Sequence, residues 1–128
     1  IEKKSITKEC TSTYFACPCC NYRTLPERGS YFICFLCNWE DDGQDEPYQN
    51  EVWGGANGKY SLTQGRNNFS KYLTMYSPED KDSFLENTIK NEIKKEIIKK
   101  FNKLNKSLCK DSCIKLKEEI KKLKEELN

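Results

Sequence analysis

Two Cys-x-x-Cys pairs constrain the fold of this 128-residue chain more than any other feature. The first pair is Cys17 and Cys20, and the second is Cys34 and Cys37. Residues 21–33 separate the pairs, a length that suits a short β-hairpin. Each pair supplies two thiolates from one tight turn, and the chain contains no histidine, so two pairs supply four soft ligands for one metal ion. The spacing predicts a closed, structural four-cysteine site; it suits zinc and iron alike, and we favour zinc.

The segment between the pairs has the composition of two short strands joined by a loop. Its strand-forming residues are Tyr22, Leu25, Tyr31, Phe32 and Ile33, and residues 26–30 provide the loop. Hydrophobic residues make up only 36% of the chain and charged residues 33%, so a bound metal would replace much of a small core. We expect an α+β protein, with a small zinc-ribbon-like β domain in residues 1–76 and a helical appendage in residues 77–128.

The remaining cysteines have no role in this predicted site. Cys19 directly precedes the predicted ligand Cys20 and cannot easily reach the same ion, so we interpret it as an extra, packing thiol. A redox-active dithiol would not explain two pairs in register. Eight cysteines, with no apolar signal-peptide core near the start, favour a reducing compartment, and we expect a cytoplasmic protein. The sequence contains no run of about 18 apolar residues, so it predicts no membrane-spanning helix.

An acidic segment follows the second pair directly. Residues 38–51 contain no Lys or Arg but six acids: Glu40, Asp41, Asp42, Asp45, Glu46 and Glu51. These residues lack the alternating ligands of an EF-hand calcium loop. One interpretation is a solvated acidic loop beside Trp39, which would pack over the metal site. The other is a negative surface for a basic partner. For that second role we select Glu40, Asp41, Asp42, Asp45 and Glu46.

Three motifs in consistent order resemble the bacterial CPCC family of small cysteine-rich proteins. They are CPCCNYRTL, ERGSYFICFLCNWEDDG and GGANGKYSLTQGRNNF, which fall within residues 14–73. The resemblance implies a metal-binding cysteine-rich fold, a bacterial source and metal positions at the four paired cysteines. It implies no activity. The long Lys/Glu-rich tail beyond residue 77 departs from the family, whose members are typically short.

Two helix starts are predicted after the glycine-rich motif. Ser61 and Gln64 have the spacing of a capping box, which satisfies free N–H groups at a helix N-terminus. Ser77, followed by Pro78 and two acids, has the order typical of an N-cap and first turn.

The tail contains two apolar stripes that are out of phase. The first has mostly four-residue spacings, typical of a helix docked on its own protein: Leu85, Ile89, Ile93, Ile97, Phe101, Leu104 and Leu108. The second alternates spacings of four and three, as in a coiled-coil seam: Cys109, Cys113, Leu116, Ile120, Leu123 and Leu127. We place a break within residues 105–112, which gives either a helical hairpin or one long helix that changes face. Cys109 and Cys113 are interpreted as small seam residues, with a second metal site or a disulfide to Cys10 as alternatives.

These features favour a protein-binding function over catalysis. An enzyme needs an acid–base pair, a nucleophile or a metal with an open coordination position, and four cysteine ligands would fill the coordination sphere. The best candidate for a reactive thiol is Cys19. Residues 1–77 carry 8 basic and 9 acidic residues, and residues 78–128 carry 14 basic and 11 acidic residues. Because the charges in each part nearly balance, charge alone does not indicate nucleic-acid binding. We therefore predict a non-enzymatic, zinc-stabilised protein-binding module. Its most concrete form is a small bacterial or phage-encoded binder, such as a toxin-immunity protein or an inhibitor of a nucleic-acid enzyme. The alternative is a zinc-ribbon protein that binds nucleic acid or has a regulatory role. The sequence leaves the oligomeric state open.

Overall fold

The computed structural model describes residues 13–106 and 110–128. Residues 14–91 form one compact unit, here called the cysteine unit. Residues 92–106 and 110–128 belong to a second, here called the helical unit. The predicted α+β class is confirmed, because a small sheet and a cysteine cluster precede four helices. The predicted domain division between residues 76 and 77 stays a prediction.

Two very short strands form the sheet of the cysteine unit. Strand β1 (Phe15–Ala16) is antiparallel to β2 (Arg23–Leu25), with Phe15 opposite Leu25 and Ala16 opposite Arg23. The strand predicted over Tyr31 to Ile33 occurs only as a single bridge from Ile33 to Glu40. Tyr31 has φ +66°, outside the β region, which prevents a longer strand there.

Helix α1 (Leu62–Tyr72) begins as the sequence predicts. Ser61 Oγ accepts a hydrogen bond from the Gln64 N–H, and Gln64 Oε1 accepts one from the Ser61 N–H, so the capping box is confirmed. The helix buries Leu62, Gly65 and Phe69. Its buried face therefore packs within the cysteine unit rather than facing solvent.

Helix α2 (Lys81–Thr88) begins later than the sequence predicts. Ser77 does not cap it; instead its N–H donates to Tyr60 Oη over 2.9 Å, and the Tyr60 hydroxyl also bonds to Asp80. The predicted start at Ser77 is wrong because a tyrosine 17 residues earlier engages these polar groups.

The first apolar stripe is also interrupted. Helix α2 ends at Thr88 and α3 (Asn91–Lys106) begins at Asn91. The Thr88 hydroxyl donates to the Phe84 carbonyl, and such bonds compete with regular helix bonds. Leu85 and Ile89 are 57% and 79% exposed, so their predicted docking is wrong, although the stripe is buried further along the chain.

The helical unit is a hairpin of α3 and α4 (Lys110–Glu126). Lys100 Nζ lies 3.1 Å from Glu119 Oε1, whereas about 28 Å would separate them in one continuous helix. The predicted break within residues 105–112 is therefore confirmed as a reversal of the chain. The buried seam consists of Ile97, Phe101, Leu104, Cys113 and Ile120.

Cys113 is fully buried in the seam, as the interpretation of it as a small seam residue predicts. It is also disulfide-bonded, so it is not a free thiol. Cys10, Leu108 and Cys109 lie outside the described residues. Within the part of the chain that the structure describes, the helices are too short or too polar to cross a membrane.

Candidate metal centre

Four cysteine sulfurs converge in the cysteine unit, as the spacing predicts. The Sγ atoms of Cys17, Cys20, Cys34 and Cys37 all lie within 4.8 Å of one another. Sγ of Cys17 is 3.6 Å from that of Cys37, and Sγ of Cys20 is 3.7 Å from that of Cys34. A tetrahedral site with metal–sulfur bonds of about 2.3 Å needs sulfurs about 3.8 Å apart. All four are buried, free thiols, so the cluster could hold a metal ion.

The first pair lies on a turn closed by its own backbone. The Cys17 N–H donates to the Tyr22 carbonyl over 2.9 Å, and the Asn21 N–H donates to the Cys17 carbonyl over 2.7 Å. The Cys19 N–H points at Cys17 Sγ, 3.4 Å away, where it would stabilise charge on the sulfur.

The second pair repeats these contacts in the same order. The Cys34 N–H donates to the Trp39 carbonyl and the Asn38 N–H to the Cys34 carbonyl, both over 2.9 Å. The Leu36 N–H lies 3.4 Å from Cys34 Sγ. The centre is thus built from two equivalent turns, each presenting two sulfurs.

An asparagine closes each turn in a left-handed conformation. Asn21 has φ +69° and Asn38 has φ +71°, a region that asparagine tolerates better than most residues. The sequence carried this signal as a repeated Cys-x-x-Cys-Asn, beyond the cysteine spacing alone.

The thiols of the cluster do not share charge equally. Burial raises the pKa of Cys34, but hydrogen bonds from the other three cysteines and from the Thr24 hydroxyl outweigh it and hold this pKa well below its usual value. Burial and hydrogen bonds to neighbouring thiols raise the pKa of Cys20 and of Cys37 well above their usual values. Binding of a metal ion would favour the thiolate form of the ligating sulfurs and release the protons they carry.

Cys19 lies outside the four-sulfur group. It is a buried, free thiol beside Gly65 of α1, where an added Cβ would lie 3.2 Å from its Sγ and 3.1 Å from the ring of Trp39. Trp39 is fully buried, and α1 can approach it closely only because residue 65 has no side chain. This environment fits the packing role predicted for Cys19.

Hydrogen bonds to the rest of the unit fix the acidic segment, residues 38–51, so it is not simply a solvated loop. The Asp41 carboxylate is fully buried and accepts hydrogen bonds from Arg28 Nε over 2.8 Å and from the Gly29 N–H over 2.6 Å. The bond to Asp41 raises the pKa of Arg28. Asp41 thus joins two loops of the fold and is not available to a partner in this structure.

The other predicted partner-binding acids differ in exposure. Asp45 and Glu46 have exposed side chains, and each forms one salt bridge of 3.1 Å: Asp45 with Arg28, and Glu46 with Arg66. Asp42 Oδ1 accepts the Gln44 N–H within a tight turn.

Glu40 is held through its backbone. Its N–H donates to Asn57 Oδ1 over 3.0 Å, and its carbonyl accepts from Asn57 Nδ2 over 2.7 Å. The structural roles of Arg28 and Asn57 were missed from sequence, because each acts on residues more than ten positions away.

The sequence profile of the family Cysteine-rich CPCC matches residues 15–87. The chain belongs to this family. No curated protein and no solved structure matches the chain significantly. As a CPCC protein, the chain has a possible four-cysteine metal site in the matched region, and α3 and α4 lie entirely beyond that region.

Proposed function

We propose that this CPCC protein is a non-enzymatic, zinc-stabilised module that binds a basic surface on another protein. The observation that carries the proposal is a hydrogen-bonded loop with exposed carboxylates at Asp45 and Glu46, in the same unit as four buried thiols that could hold a metal ion. Four buried thiols leave no ligand position for water or substrate, which is the arrangement of a structural rather than a catalytic zinc site.

Charge supports a basic partner. Residues 14–91 carry 11 acidic and 7 basic residues, and the acids of the loop point away from its buried core at Asp45 and Glu46. A negative surface accelerates association with a positive one and disfavours wrong partners. The most concrete form is an immunity protein or an inhibitor whose carboxylates occupy the basic cleft of a nucleic-acid enzyme.

The test compares two double charge reversals in the full chain. Asp45→Lys with Glu46→Lys reverses the loop, and Glu118→Lys with Glu125→Lys is the matched control on α4, where both acids are exposed. Affinity capture from the source cells, quantified by mass spectrometry, should recover one protein with the wild type and the control and lose it with the loop variant. Equal recovery by all three proteins, or recovery of none, would contradict the proposal.

A second function, nucleic-acid binding, is favoured by a different observation. Residues 92–128 carry 12 lysines against 7 acids, and an open groove between α3 and α4 is lined by Lys100, Lys103 and Lys115. Converting these three lysines to glutamine should abolish a mobility shift of labelled DNA or RNA if this function is correct. The loop variant should then bind as well as the wild type or better, the opposite of its effect on a basic partner.

A further inference from the structure

The acidic loop also exposes a group of large apolar side chains. Tyr48, Val52 and Trp53 are 50%, 54% and 45% exposed. The rings of Tyr48 and Trp53 lie with centroids 5.9 Å apart and planes inclined by 50°. These three residues, with Glu46 and Glu51, are here called the aromatic–acidic patch.

The backbone beneath this patch is fixed by a buried amide. Gln44 is 1% exposed, and its Nε2 donates to the carbonyls of Tyr48 and Glu51, both over 2.7 Å. Polar contacts with α1 add to this: the Thr63 N–H donates to the Gln49 carbonyl over 2.9 Å. The loop keeps its shape through these polar contacts, and the outward aromatic rings are left preorganised for contact with another molecule.

Carboxylates lie beside the exposed rings. The indole N–H of Trp53 donates to Glu51 Oε1 over 3.1 Å, which fixes this carboxylate next to the ring. Glu46, two residues before Tyr48 in the sequence, has a side chain that is 69% exposed and pairs with Arg66 over 3.1 Å. A cation that stacks on an aromatic face while pairing with a neighbouring carboxylate gains from both contacts.

We propose that Trp53 and Tyr48 anchor the partner, and that they receive an arginine or lysine side chain from a basic segment of that protein. This inference rests on the proposed function and identifies where the partner binds. Tryptophan and tyrosine dominate binding energy when they form the centre of an interface. Nucleic acid, the other ligand that stacks on aromatic rings, would bring its phosphates against Glu46 and Glu51.

The test uses a fluorescein-labelled peptide of alternating arginine and glycine, measured by fluorescence anisotropy with the full chain. Trp53→Ala should weaken binding at least about tenfold, and Tyr48→Ala by a smaller factor. Phe32→Ala is the matched control, because it removes an equally exposed ring from the same unit, and it should leave affinity unchanged. Trp39 is then the remaining tryptophan, and an emission maximum at the short wavelength of a buried indole would show that Trp53→Ala is folded.

The outcomes separate this inference from the broader function. If the loop charge reversal loses the captured partner but Trp53→Ala and Tyr48→Ala keep it, the function stands and the anchor is wrong. A wild-type protein that does not bind the arginine peptide also overturns the anchor, whatever the capture experiment gives. Tighter binding of a labelled oligonucleotide than of the peptide, lost in Trp53→Ala, assigns the rings to base stacking and overturns the inference.

Discussion

The two β-strands of the cysteine unit contain two and three residues, whereas the two helices of the helical unit contain 16 and 17. The first unit is held by individual side chains of special chemistry: four thiols, a buried carboxylate and buried amides. The second is held by a seam of apolar side chains at helical spacing and by a disulfide-bonded cysteine. A single substitution at one of these special side chains should therefore unfold the cysteine unit. A single substitution in the seam should lower the stability of the helical unit by only part of its total.

The two tryptophans make this difference measurable, since both Trp39 and Trp53 belong to the cysteine unit. Tryptophan fluorescence consequently reports on that unit alone. Circular dichroism at 222 nm reports mainly on α3 and α4, which are the two longest helices of the described chain. Comparing the two signals therefore tests whether the units respond separately.

The largest expected effect is that of metal removal. Structural zinc contributes about 10–16 kcal/mol to folding in small zinc domains, so a chelator, or Cys20→Ser, should unfold the cysteine unit. Trp39 emission should shift to the red while most of the signal at 222 nm remains. Cys19→Ser is the control, and metal analysis should give one zinc per chain for it and for the wild type. A fully occupied site in Cys20→Ser would refute the ligand assignment.

A large effect in the helical unit is expected for Ile97→Ala. Ile97 is fully buried in the seam, and truncating a buried isoleucine costs about 2–5 kcal/mol. Thermal unfolding at 222 nm should move to lower temperature, whereas zinc content and tryptophan emission should not change. Ile114→Ala, at an exposed position of α4, should have little effect. A matching loss of the fluorescence signal in Ile97→Ala would show that the two units unfold together.

An intermediate effect is expected for Gly65→Ala. Its Cβ would lie 3.1 Å from the buried ring of Trp39, and overpacking of this kind costs about 1–3 kcal/mol. Alanine recovers up to about 1 kcal/mol through its better helix propensity, so the net loss is smaller. Urea denaturation followed by tryptophan fluorescence measures it. Greater stability than the wild type would show that Trp39 can move aside.

The smallest effect is expected for Ser61→Ala. Losing the N-cap hydroxyl of α1 costs about 1 kcal/mol. Ser70→Ala, which removes an exposed hydroxyl from the same helix, is the control and should be nearly neutral. The same fluorescence-monitored urea titration should give a lower midpoint for Ser61→Ala only. Equal midpoints for the two variants would indicate that the cap adds nothing to the stability of the cysteine unit.

Features set by local spacing could be predicted from the sequence. The grouping of the four paired cysteines, the capping box at Ser61 and the break between α3 and α4 depend on residues that recur within a few positions. Periodicity also identified Ile97, Phe101 and Leu104 as buried.

Features set by distant partners could not. The start of α2 depends on Tyr60, which engages Ser77 and Asp80, and no local pattern reveals a tyrosine hydroxyl acting 17 residues away. Asp41 appeared to be one acid among six, but Arg28 and Gly29 make it a buried structural residue. Leu85 and Ile89 were predicted to be buried from the spacing of apolar residues, but both are exposed. The spacing identifies the apolar face of a helix and not whether another part of the protein packs against that face.

The two equivalent cysteine turns make the centre a pair of bidentate chelators. Each turn closes its backbone hydrogen bonds within six residues, so each can present two sulfurs independently of the other. An ion bound by one turn would meet the second turn at an effective concentration set by the linking residues 21–33, which include β2 and hold the two turns close together. Lengthening that link should lower this effective concentration while leaving each chelating turn intact.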